Sequence, residues 1–119
     1  MKSKLVFIFS ILVLFTGCGK KYKITPDSLP IAHVNQEYKQ TIEISGGKVV
    51  DQYAELNTNI PKDFGITVQP DNDSNGYNIL VVKGTPKYSG EYLITIRADF
   101  FGGGGGAEIK KTYTLKVEK

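Results

Sequence analysis

Chemically versatile side chains are scarce in this chain of 119 residues. It has one cysteine, one histidine, one methionine and no tryptophan. A single cysteine excludes an intramolecular disulfide, so a core alone must hold the fold. The lone histidine, His33, sits in a polar stretch and reads as a surface loop residue. No serine stands in a Gly-x-Ser-x-Gly setting. The carboxylates Asp27, Asp51, Asp63 and Asp99 are scattered, with no pair placed to work as acid and base. The expectation is a non-enzymatic protein without a resident cofactor. Charge of one sign is also lacking. The full chain carries a net +3, from 15 basic and 12 acidic residues. That excludes a nucleic-acid binder by charge.

What is present first is a leader. Lys2 and Lys4 precede an apolar run from Leu5 to Phe15, followed by the small residues Thr16 and Gly17 and then Cys18. A basic start, an apolar centre and small residues before a cut make a signal peptide over residues 1–17. At 11 residues the run falls short of the ~20 needed to cross a bilayer. It has no amphipathic period, as a buried helix would. An ordinary secretory signal with an incidental cysteine is the remaining alternative.

The segment Leu14-Phe15-Thr16-Gly17-Cys18 resembles the lipobox of bacterial lipoproteins. The resemblance implies that the Cys18 thiol receives a diacylglycerol and becomes the first residue of the mature protein. The expected partner is then a membrane, held through that lipid. Gly19 lacks the aspartate that tends to retain Gram-negative lipoproteins in the inner membrane. By the same resemblance, a Gram-negative source would place the protein at the outer membrane. Losing Lys2 and Lys4 with the leader leaves 13 basic against 12 acidic residues, a net +1. Lys20, Lys21 and Lys23 belong to a tether over residues 18–23 and read as solvated, or as help against anionic headgroups. From Cys18 to Ile24 an extended tether reaches only ~20–25 Å.

The 102 residues from Cys18 to Lys119 suffice for one domain, placed at residues 24–119. A chain of this size buries roughly 60–70% of its unfolded surface. The prolines in Thr25-Pro26-Asp27-Ser28-Leu29-Pro30 exclude helix there and predict an extended lead into the domain. The remainder alternates with period two. Tyr38–Ser45, Val49–Leu56, Ile66–Gln69, Tyr77–Lys83, Glu91–Phe101 and Ile109–Val117 are the predicted strands. Lys111 breaks the apolar face of the last one. Tyr77–Lys83 carries apolar residues on both faces and is expected to be covered on both. No helical stripe is present. The fold class expected is an all-β, antiparallel sandwich of about seven strands.

Gly46-Gly47, Ile60-Pro61-Lys62-Asp63-Phe64-Gly65-Ile66 and Gly84-Thr85-Pro86-Lys87-Tyr88-Ser89-Gly90-Glu91-Tyr92 together resemble the Ig-type, cadherin-like domains of bacterial surface proteins. The Gly84–Tyr92 segment is the specific part. The resemblance covers residues 24–118 and implies an Ig-like sandwich. Tyr92, opening the penultimate strand, is the expected tyrosine corner, its hydroxyl returning to nearby backbone.

Two segments stand out from the strand pattern. Asp71-Asn72-Asp73-Ser74-Asn75-Gly76 matches the first half of a calcium loop, with Asp71, Asp73 and Asn75 as oxygen ligands. Val82 replaces its closing glutamate, so the motif is incomplete. A polar turn accounts for the same residues. Phe100-Phe101-Gly102-Gly103-Gly104-Gly105-Gly106 falls between the last two strands. It reads as a tolerated glycine loop or as a contact loop for a protein or lipid partner. Lipobox, fold class and missing catalytic groups together favour a lipid-anchored envelope protein whose domain binds another protein or a glycan. A structural accessory lipoprotein of a larger envelope complex, with no ligand of its own, is the alternative.

Overall fold

The computed structural model describes residues 22–102 and 108–119. Eight strands form two four-stranded sheets. In chain order they are β1 (Lys23–Thr25), β2 (Ala32–His33), β3 (Tyr38–Ser45), β4 (Glu55–Thr58), β5 (Ile66–Pro70), β6 (Ile79–Gly84), β7 (Gly90–Asp99) and β8 (Glu108–Glu118). One sheet runs β1-β3-β6-β5, the other β2-β8-β7-β4. All neighbours are antiparallel except β2 and β8, which run parallel. This is the Ig-like order of strands, with the first strand divided between the two sheets.

Alternation drives this architecture. In β3, Tyr38, Ile42 and Ile44 are buried while Lys39, Thr41 and Glu43 face water. In β7, Ile94, Ile96 and Ala98 point inward, and in β8 Tyr113, Leu115 and Val117 do. The two inner faces close one core, which Phe64, Val49 and Phe100 extend toward the ends. β6 is covered on both faces, as its sequence predicts: Leu80, Val81 and Val82 are all buried. β8 leaves the core at its start, where Lys111 lays its ammonium 5.1 Å from the Tyr113 ring.

Three expectations need correction. Val49–Leu56 is not one strand. Val49 pairs only with Phe100, a 3-10 turn follows at Asp51–Tyr53, and β4 begins at Glu55. The chain changes sheets here, and the Tyr53 and Ala54 amides bond back to Val50 and Asp51, making the bend that a continuous strand forbids. Similarly, Tyr77 lies in a second 3-10 turn, Gly76–Asn78, just before β6. The described chain is tied into the sandwich from its start. Lys23 is already in β1, and Tyr22 stacks on Phe100 with ring centroids 3.8 Å apart.

The Tyr92 corner is the third. Tyr92 lays its ring back over Gly90 and against Phe64, 4.6 Å away. The hydroxyl-to-backbone role falls to two other tyrosines. Tyr113 donates to the Pro26 carbonyl at 2.5 Å and Tyr38 to the Pro30 carbonyl at 2.8 Å. These bonds hold the segment that carries the chain from β1 across to β2.

The segments singled out by family resemblance make a clasp. Thr85 donates to the Gly65 carbonyl at 3.0 Å and Lys87 to the Phe64 carbonyl at 2.9 Å. Phe64, fully buried, meets Tyr88 edge-on at 4.9 Å. Gly84 has φ +140°, and a Cβ there would fall 1.8 Å from the Gly65 oxygen. Only glycine lets the two backbones approach this closely.

Tyr113→Phe removes the donor to a carbonyl of the leading segment. It is expected to cost about 1–2 kcal/mol, lowering Tm by roughly 4–16 °C. Tyr92→Phe is expected to stay within about 0.5 kcal/mol. Burial pushes both the Tyr38 and the Tyr113 hydroxyl up to about 12, with Asp27 adding to the latter. The folded state therefore favours the neutral phenols. That stability is complete below the ordinary value of 10 and is lost as pH rises from 10 toward 12. Ultraviolet titration should show these two of the seven tyrosines ionising late, together with unfolding.

Candidate functional site

The loops at one end of the sandwich gather around the incoming chain. β1 runs antiparallel to the end of β3, pairing Lys23 with Ser45 and Thr25 with Glu43. The Tyr22 ring therefore reaches the Gly46-Gly47 turn that ends β3. A Cβ on Gly47 would meet the Tyr22 ring at 3.0 Å and the Phe100 ring at 3.4 Å. Phe100 is buried, while Phe101, the next residue, is 62% exposed. The Phe101 amide donates to the Lys48 carbonyl at 3.0 Å, tying the β7–β8 connection to the turn after β3. Gly102 follows with φ +70°. Of the proposed contact loop, Gly103, Gly104, Gly105 and Gly106 lie outside the described residues, as does Cys18.

Asn78 locks this end. Its amide donates to the Ile44 and Gly47 carbonyls, each at 2.9 Å, and its Oδ1 accepts from the Val49 amide at 3.0 Å. One half-buried side chain thus satisfies three backbone groups at the place where the ladder of β3 stops. Nothing in the strand pattern marks this asparagine beforehand, because its partners lie more than 28 residues away.

The half calcium motif occupies the β5–β6 connection. Asp71 and Asp73 are exposed and Asn75 is half-buried. Asn72, which is no ligand position, organises the loop. Its Oδ1 accepts from the Asn75 amide at 2.8 Å, and its carbonyl accepts from the Gly76 amide at 3.1 Å. Gly76 has its own reason to be glycine. Its φ is +53°, and a Cβ would fall 2.3 Å from the Asp51 carboxylate, which accepts from the Tyr77 amide. The Asn75 carbonyl is engaged by the Lys48 ammonium at 3.3 Å. Among the described residues, no three of His, Cys, Asp or Glu group as metal ligands. The local hydrogen bonds account for the motif as a turn.

An ion-pair group not anticipated from sequence lies on the outer face of the second sheet. Arg97, the only arginine of the chain, bonds Glu108 on β8 and Glu55 on β4, the latter at 3.1 Å, with Asp99 at 3.5 Å. It also donates to the Tyr53 carbonyl at 3.3 Å. The guanidinium holds the Glu55 carboxyl below its ordinary range, first through the hydrogen bond and then through its charge. The arrangement cross-links three strands. A lone arginine flanked on its face by carboxylates of both neighbouring strands is a legible signal once the register is known.

The opposite end carries two open clefts. One, of about 470 Å³, lies between the start of β3 and the end of β6, lined by Glu37, Tyr38, Lys39, Thr67, Lys83 and Gly84. Lys39 and Lys83 are direct cross-strand partners, and no carboxylate pairs with either among the described residues. The second cleft, about 590 Å³, is lined by Val34, Lys87, Tyr88 and Lys119. His33 lies exposed on β2 beside Glu118 and belongs to neither cleft. Among the described residues, no helix is long and apolar enough to cross a membrane. No protein-family model matches the chain, and no curated protein matches it either.

If Asp71–Gly76 is a turn, Asn72→Ala should lower stability by about 1 kcal/mol through its lost cap-like bond. Asp71→Asn and Asp73→Asn should be near neutral, and millimolar calcium should leave Tm unchanged. Differential scanning calorimetry with and without calcium decides. A calcium-dependent rise in Tm that either aspartate variant abolishes would establish a metal site instead.

Proposed function

We propose that this chain is a lipid-anchored protein of the bacterial cell envelope whose Ig-like domain acts as a non-enzymatic binding module. The Leu14–Cys18 segment carries the anchoring part of the reading. The fold supports it. Tyr22, only four residues beyond Cys18, is packed into the sandwich, so a lipid on Cys18 would hold the domain directly at a bilayer. The binding part draws on the scaffold. A rigid sandwich with clefts that carry lysines at the end away from Tyr22 would present those clefts to envelope proteins or glycans. With Gly19 after the cysteine, a Gram-negative host would carry the protein on its outer membrane.

Metabolic labelling with an alkyne fatty acid tests the anchor. The wild-type chain should take up label and partition with membranes. Cys18→Ser should lose the label and retain the longer, uncut leader. Label persisting in Cys18→Ser would refute lipidation at this site. Crosslinking in intact cells tests the module: a reproducible partner captured by the wild type and lost in Cys18→Ser is the expected result.

A further inference from the structure

Rigid attachment fixes which end of the sandwich meets the bilayer. Tyr22 is the fourth residue after Cys18, and an extended chain over those four steps spans at most ~14 Å. Tyr22 is not free to swing. Its ring is stacked on Phe100 at 3.8 Å, and the three residues after it are paired to β3. The end built from Tyr22, Gly47, Lys48 and Phe101 is therefore the nearest part of the domain to the lipid. That end presents Phe101, the most exposed of the large hydrophobic side chains among the described residues. Tyr53, 58% exposed, lies in the turn that follows Val50 on the same side.

We propose that this end, led by Phe101, rests in the interfacial layer of the membrane that holds the Cys18 lipid. The proposal rests on the anchored reading above and gives the Phe100–Gly102 corner a lipid partner. Aromatic side chains favour that layer, where apolar chain meets polar headgroup. Lys20 and Lys21 fall between Cys18 and Tyr22 in the sequence, and Lys23 and Lys48 share this end with the exposed Asp71 and Asp73, so any attraction of the domain to anionic headgroups is a separate, salt-sensitive contribution. The seating of the Phe101 ring is apolar and insensitive to salt. The two clefts stand at the other end of the ten-residue β7, roughly 33 Å away at 3.3 Å per residue. They remain open to solvent.

The chain contains no tryptophan, so Phe101→Trp and, at the far end, Tyr88→Trp each supply a single probe. Both positions are exposed, and tryptophan at 88 keeps an aromatic ring against Phe64. The full chain, lipidated in cells, is reconstituted into phosphatidylcholine–phosphatidylglycerol vesicles with and without lipids brominated near the headgroup. The Phe101→Trp protein is expected to show blue-shifted emission, quenched by the brominated lipid and unchanged in high salt. The Tyr88→Trp protein is expected to show neither change. Equal quenching of the two, or none at Phe101→Trp in protein that floats with the vesicles, overturns the orientation while leaving the anchor standing. Protein that carries no lipid and fails to float overturns the anchored reading and this proposal with it.

Discussion

Two tyrosine hydroxyls hold the arrangement on which the rest of this domain depends. The leading segment starts in one sheet as β1 and ends in the other as β2, crossing the open side of the sandwich between them. Its prolines give it few amides with which to join a ladder. Tyr113 from β8 and Tyr38 from β3 meet its Pro26 and Pro30 carbonyls instead. One tyrosine comes from each sheet, so the crossing segment closes the two sheets together. Leu29 and Ala32 then fill the core beneath it. Without these bonds the stretch from Pro26 to Pro30 would lose its hold on both sheets, and β1 would rest on its pairing with β3 and the Tyr22–Phe100 stack alone.

The two ends of the sandwich are built by different physics. The far end is a backbone clasp, in which Gly65 and Gly84 permit a main-chain approach that any side chain would block, sealed by Phe64 under Tyr88 and Tyr92. The near end is polar and side-chain-mediated. Asn78 gathers the frayed end of β3, Asn72 shapes the β5–β6 turn, and Asp51 fixes the turn beyond it. Between them, Arg97 ties three strands on the outer face of one sheet. At the near end Phe101 stays exposed even though its amide is tied to the Lys48 carbonyl.

The legibility of this fold in its sequence follows the range of the forces involved. Alternation is local, so Tyr38–Ser45 and the inward faces of β7 and β8 could be read directly. The sheet change at Asp51–Tyr53 could not, because residues 49–56 favour extension by their pattern, and the local turn bonds of Tyr53 and Ala54 are set in place by distant groups, the Tyr77 amide on Asp51, the Asp99 carbonyl on Val50 and the Asn78 side chain on Val49. The Gly84–Tyr92 motif places its expected tyrosine corner at Tyr92. Which hydroxyl finds a carbonyl is decided by how Pro26 and Pro30 lie over Tyr113 and Tyr38, 87 and 8 residues away. The half calcium motif shows the converse. Its residues are what a turn of this shape needs, so composition alone could not separate the two readings. Gly-Thr-Pro and Gly-x-Tyr in the Gly84–Tyr92 segment are likewise explained by the clasp, without any ligand.

Under the proposed lipid anchor on Cys18, function would follow from orientation more than from any single cleft. A domain pinned at Tyr22, four residues after the anchored cysteine, would present one defined end outward. The measurement that tests this most directly is amide hydrogen exchange across the leading segment. The account predicts that the amides of β1 and of Val34, which donates to the Glu118 carbonyl at 2.8 Å, exchange as slowly as those at the centre of β3. Exchange at the rate of an unstructured peptide from Tyr22 to His33 would contradict it, because the segment would then be a swivel and the domain would have no fixed face toward its anchor.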